Sequence, residues 1–184
     1  MPKVAVTPQQ FSYVTYDAGT IAAIAEKLAD EAGLGDASIE VDIDEGTPLG
    51  RVRVDSIDDP IRLHVEGGAL EDPTEPRNLS ERGTADVIGR LLFRVADRRS
   101  GRFDDAPADA DLSLQQQVAW DAYCMGRLDR LGYDVRQPRR RYHFRTRHGF
   151  TDVADRAFDR LWSAEPDSLS WGDVEAACAE TAAA

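Results

Sequence analysis

Apolar residues recur along this chain at two spacings, one helical and one alternating, and the switch between them sets out the elements. Ile21, Ile24, Ala25, Leu28 and Ala32 fall at i, i+3, i+4, i+7 and i+11, the stripe of a helix over about 17–33. Asp17 is placed as its N-cap and Gly33 or Gly35 as its stop. Three short alternating runs follow. Ser38–Ile43 puts Ile39, Val41 and Ile43 on one face; Gly50–Val54 does so with Val52 and Val54; Ile61–Glu66 does so with Ile61, Leu63 and Val65. Turn signals at 45–48 and 58–60 separate them, so the pattern predicts an antiparallel meander with one wet face and the first helix on the other. The aromatic stretch Phe11–Tyr16 fits either a strand or an ordered loop.

Beyond a turn-rich connector at 71–76, helical spacing returns. A helix over about Leu79–Arg98 has Asn78 and Glu81 as a capping pair and Thr84, Ile88, Leu91, Leu92 and Val95 as its stripe, with Phe93 off it. An acidic linker or loop at 100–112 precedes a helix over about Ser113–Leu131, stopped by Gly132. Residues 138–147 alternate and read as a strand or hairpin arm. Two capped helices close the chain, one begun by Thr151, the other by a Ser170/Asp173 capping box with a Leu169–Val174 staple. The expected fold is α+β: a small antiparallel meander packed with helices in 1–99, then a mainly helical 113–184, forming one compact domain overall.

The order helix, three strands, capped helix resembles the first lobe of zinc metallopeptidases. In that family the last helix carries metal-binding histidines; here it reads Ala85-Asp86-Val87-Ile88-Gly89-Arg90, so the resemblance is one of topology and implies no zinc chemistry. The three histidines are scattered, and neither an HExxH pair nor a Cys/His cluster exists, so no metal and no cofactor is expected. Phosphate-binding glycine loops and a GxSxG elbow are missing as well.

Charge changes the picture. The 184 residues carry net −12, but unevenly: 1–76 is −11, 77–135 is −1, 136–149 is +6 and 150–184 is −6. An acidic chain repels phosphate backbones and anionic lipid, which makes nucleic acid an unfavoured partner and a membrane an unexpected one. Arginine outnumbers lysine 20 to 2, a bias that with the many alanines points to a GC-rich bacterial genome. The N-terminus lacks the apolar core of a secretion signal, and Cys124 and Cys178 have no CxxC spacing; a cytoplasmic protein with reduced thiols is expected.

Two features could carry chemistry. Read as a strand, 139–147 turns Arg139, Arg141, His143, Arg145 and Arg147 to one face and buries Tyr142 and Phe144 on the other. A row of guanidiniums suits a phosphate, a carboxylate or an acidic protein, because each offers a planar fork of donors; His148 lies beside it. The opposing reading is a solvated strand whose charges deter edge pairing, or a patch against the chain's own acidic half or a second subunit. Asp121 falls in the middle of its helix's apolar sector among Val118, Ala122, Met125 and Leu128, where an ionised carboxylate requires a partner. These features support an uncharacterised binding or interaction module, self-associating as a homo-oligomer, with an Arg/His surface for a small anion or an acidic protein partner. The alternative is an enzyme on a small phosphate or carboxylate substrate, with Asp121 and His143 as catalytic acid and base and Arg139, Arg141, Arg145, Arg147 and His148 binding the ligand.

Overall fold

Val4 and Val6 alternate with Lys3, Ala5 and Thr7 to form the first strand, β1 (Lys3–Thr7), too short a run to stand out in the sequence. The computed structural model describes residues 1–184, which divide into two units, Met1–Ala96 and Asp97–Ala184. In the first unit, helix α1 (Ala18–Glu31) starts where the Asp17 carboxylate accepts from the Thr20 amide at 2.7 Å. Gly33 takes a φ of 76° just past its end, the left-handed geometry glycine tolerates. Because α1 carries the chain back across the sheet, β1 and β2 (Ser38–Asp44) run parallel.

Strands β3 (Val52–Ser56) and β4 (Ile61–Glu66) complete a four-stranded sheet of order β1-β2-β4-β3. The fold is α+β with a helical C-terminal half, but the sheet is mixed rather than an antiparallel meander. β4 lies parallel to β2, and β3 is antiparallel to β4 with a register shift between Val54 and Ser56. A meander expectation assumes that consecutive strands are neighbours, as they are about two-thirds of the time. Here β3 steps to the edge and β4 returns between it and β2. The side-chain phase is as the pattern requires: Ile39, Val41, Ile43, Ile61, Leu63 and Val65 are at most 3% exposed. Each such burial contributes about 1.5–3 kcal/mol. Val52 and Val54 are only half-buried, as suits an edge strand, and Phe11–Tyr16 is loop.

Helix α2 (Glu81–Arg99) is capped by Ser80, whose Oγ accepts from the Gly83 amide at 3.0 Å; Asn78 sits farther back and bonds Glu75 and Thr15. A one-sided stripe is the expectation, yet Phe93 and Arg94 are 6% and 4% exposed, and nearly every residue from Thr84 to Val95 is buried.

In the second unit, α3 (Leu114–Arg130) packs against α4 (Gln137–His148), α5 (Asp152–Ser163) and α6 (Trp171–Ala182). Ser113 and Gln116 form a capping box on α3, Thr151 caps α5, and Ser170 with Asp173 boxes α6. Gly126 lets α3 and α5 meet: a Cβ there would lie 2.0 Å from the Trp162 carbonyl oxygen. The acidic stretch before α3 is packed in place. Phe103 stacks on Trp120 at 4.9 Å, and the Arg98 guanidinium donates to the Ala106 and Pro107 carbonyls and to Asp109. No helix is long and apolar enough to cross a membrane.

Candidate functional site

Residues 137–148 form a helix, α4, not the strand that their alternation suggests. The physical reason is local. Arginine is a good helix former, Pro138 sits in the first turn where its missing N–H costs nothing, and Gly149 at φ 96° ends the helix. Tyr142 and Phe144 therefore point apart: Phe144 is 1% exposed and Tyr142 57%. The single row Arg139, Arg141, His143, Arg145, Arg147 does not exist, and its members fall on two faces.

One face joins α4 to the rest of the unit. Arg145 makes a two-point pair with Asp155 of α5, Nε to Oδ1 and Nη2 to Oδ2, both at 2.7 Å. That hydrogen bonding holds the Asp155 carboxyl below its ordinary range and raises the Arg145 pKa. Arg141 donates to Asp159, lies 3.8 Å from Asp155, and places its guanidinium 4.6 Å from the Phe158 ring centre. Arg141 and Arg145 thus both pair α4 with carboxylates of α5. His148, on the same face, is buried and stacks on Phe144 at 4.0 Å. Its Nε2 lies 3.0 Å from the Gln115 carbonyl oxygen and its Nδ1 2.7 Å from Thr181 Oγ1. A carbonyl can only accept, which assigns a proton to Nε2, while the Thr181 hydroxyl beside Nδ1 also reaches the Ala177 carbonyl oxygen at 3.0 Å. Burial lowers the His148 pKa, and both ring nitrogens are engaged within the fold.

The other face looks outward. At about 100° per residue, Arg139, Arg140, His143 and Arg147 share one helical stripe at i, i+1, i+4 and i+8, with Arg136 just before the helix. Arg136, Arg139, His143 and Arg147 are exposed and Arg140 half-buried; Arg136, Arg139 and Arg147 enter none of the ion pairs described. Arg136 adopts a φ of 50° at the start of the helix. Beside the stripe, Tyr142 packs edge-on to Phe150 at 6.0 Å, the two rings 57% and 67% exposed. An exposed aromatic pair next to arginines has the composition of protein interfaces.

Asp121 is half-buried on α3 while its neighbour Ala122 is 2% exposed. The carboxylate most deeply enclosed in this unit is a different one. Asp97 receives hydrogen bonds from both Arg127 terminal nitrogens and from the Trp120 indole, at 2.7–2.8 Å. Arg127 also lies 4.0 Å from the Tyr123 ring centre and 3.4 Å from Cys124 Sγ. Burial alone would lower the Arg127 pKa; the neighbouring Cys124 and Asp97, the latter also through its hydrogen bonds, outweigh it and raise it. Both cysteines are free. No three His, Cys, Asp or Glu side chains are grouped so as to hold a metal ion. No protein-family model, curated protein or solved structure matches the chain.

Proposed function

We propose that this protein is an interaction module that receives an acidic protein partner on the outward face of α4. The observation that carries this reading is the division of one basic segment into two faces. Arg141 and Arg145 answer carboxylates of α5, whereas Arg136, Arg139 and Arg147 are exposed and enter none of those pairs. Exposed guanidiniums steer an acidic partner and set its register, and the adjoining Tyr142–Phe150 pair supplies apolar contact that charges alone lack. The enzyme reading is weaker because the arginines expected to clamp a small anion already have intramolecular partners. Nucleic acid is disfavoured by the net charge of −12.

The test is binding of labelled poly-L-glutamate to the full chain, read by fluorescence anisotropy. Binding that falls about tenfold or more in the Arg139→Glu/Arg147→Glu variant, with unchanged circular dichroism, is the expected result. Absence of binding at low salt overturns the reading.

A further inference from the structure

We infer, on the reading of α4 as the recognition face, that the acidic partner it receives is a second copy of this chain, presenting the uncovered face of its sheet. Strands that run parallel are usually covered on both sides, because the crossovers that join them lie over the sheet. Here β1, β2 and β4 run parallel, and the inward residues Ile39, Val41, Leu63 and Val65 are buried. The opposite side is open. Glu40, Asp42 and Asp44 of β2 and Arg62 of β4 are exposed, as is Ala5 of β1, which sits beside Glu40. Two rungs of this open face are balanced from within: Glu40 accepts from Arg62 at 3.1 Å, and Asp42 lies 3.0 Å from His64 Nδ1. The third is not. Asp44 stands directly opposite Glu66, and these two carboxylates accept from the backbone amides of Gly46 and Arg51 but enter no ion pair. Like charges at such a pair repel, and a guanidinium laid across them replaces that repulsion with charge-assisted hydrogen bonds. Arg139 and Arg147, exposed on α4 and outside the ion pairs described, supply that group. Apolar surface adjoins the charges on both sides of the contact: Tyr142 and Phe150 on α4 and beyond it, Ala5 on the sheet. Net charge favours the same meeting, since residues 1–96 carry −9 and residues 136–149 carry +6. A sheet face without a covering helix and a basic helix face without a partner are thus the two halves of one head-to-tail contact.

The experiment is sedimentation equilibrium of the full chain at about 0.01 M and about 1 M salt, where charges are screened over about 30 Å and about 3 Å. Two charge-reversed variants accompany the parent, Arg139→Glu/Arg147→Glu and Glu40→Lys/Asp44→Lys, all four positions being exposed and both folds checked by circular dichroism. At low salt the parent is expected to exceed the 20.3 kDa of one chain as its concentration rises, and at high salt to return to that mass. Each variant alone should self-associate about tenfold more weakly or not at all. An equimolar mixture of the two should associate again, because one keeps the acidic face and the other keeps the arginines. That recovery excludes misfolding as the cause of the loss. A parent that stays at one chain's mass at low salt while still binding poly-L-glutamate overturns the second copy and leaves an acidic partner of another kind standing. Failure of both measurements overturns the proposed function as well. Self-association that survives either reversal, or a mixture of folded variants that stays monomeric, overturns the contact between sheet and helix.

Discussion

Arg127 and Asp97 meet through two parallel hydrogen bonds, Nη1 to Oδ1 at 2.8 Å and Nη2 to Oδ2 at 2.7 Å, with side chains only 5% and 1% exposed. The Trp120 indole donates to the same carboxylate at 2.8 Å, so the pair is tied into the aromatic cluster that Phe103 and Trp171 complete. Removing one member strands the other charge without water. Arg127→Met is therefore expected to destabilise the protein by about 3–5 kcal/mol, whereas Arg127→Met with Asp97→Leu should regain much of that loss. Urea unfolding of the three proteins decides it; a single variant within about 0.5 kcal/mol of the parent would mean that the pair is solvated in solution.

Gly126 has no room for a side chain. A methyl group would meet backbone, the Trp162 carbonyl oxygen at 2.0 Å, which is itself fixed by a 2.8 Å hydrogen bond from Arg130. Backbone cannot rotate aside as a flexible side chain can. Although alanine is the better helix former by about 0.8–1 kcal/mol, Gly126→Ala should lower stability by about 1–3 kcal/mol through forced separation of α3 and α5. A rise in melting temperature would show that the helices part freely.

Much of this architecture is legible in apolar spacing because one-sided burial writes a period into the sequence. Ile39, Val41 and Ile43, or Ala154, Ala157, Phe158 and Leu161, carry that period without ambiguity. Where burial is not one-sided the code fails. α2 is enclosed from Thr84 to Val95, so Phe93 and Arg94 lie off the stripe yet are buried. Pairing order is silent for another reason: a strand's alternation is the same whichever neighbour it has, which is why the place of β4 between β2 and β3 could not be read. The basic segment misleads because Tyr142 and Phe144 alternate with arginines by coincidence, and arginine tolerates either conformation. Spacing could have arbitrated. Phe144 and His148 stand at i and i+4, the buried pair of a helix. Arg127 likewise adjoins the apolar sector of α3, a signal that this cation would be buried.

Acid should loosen the second unit through His148. Its folded pKa is lowered from 6.5 by burial, so below pH 6.5 the unfolded chain takes up the proton first. The stabilisation is thus fully present above pH 6.5 and is lost as pH falls toward the folded value. His148→Gln, without a titrating ring, should show a flatter stability profile just below pH 6.5 in urea titrations at stepped pH. The depressed Asp155 pKa acts in a separate window, below the ordinary carboxylate value of 3.8, where protonation releases Arg145. Parallel profiles for parent and His148→Gln would show that the ring titrates alike in both states.

The two faces of α4 make opposite demands on stability and on anion response. Arg141 and Arg145 hold α5, so Arg141→Gln/Arg145→Gln should lower the melting temperature, and the difference should shrink as salt screens the pairs with Asp155 and Asp159. Arg139 and Arg147 are exposed and outside those pairs, so Arg139→Gln/Arg147→Gln should leave the melting temperature in place. Sulfate reverses the ranking. Stabilisation by millimolar sulfate, measured as a thermal shift against chloride at equal ionic strength, should persist in the first variant and vanish in the second. If it vanishes in the first variant and persists in the second, the anion-responsive arginines are those facing α5, and the outward stripe is only a solvated helix face.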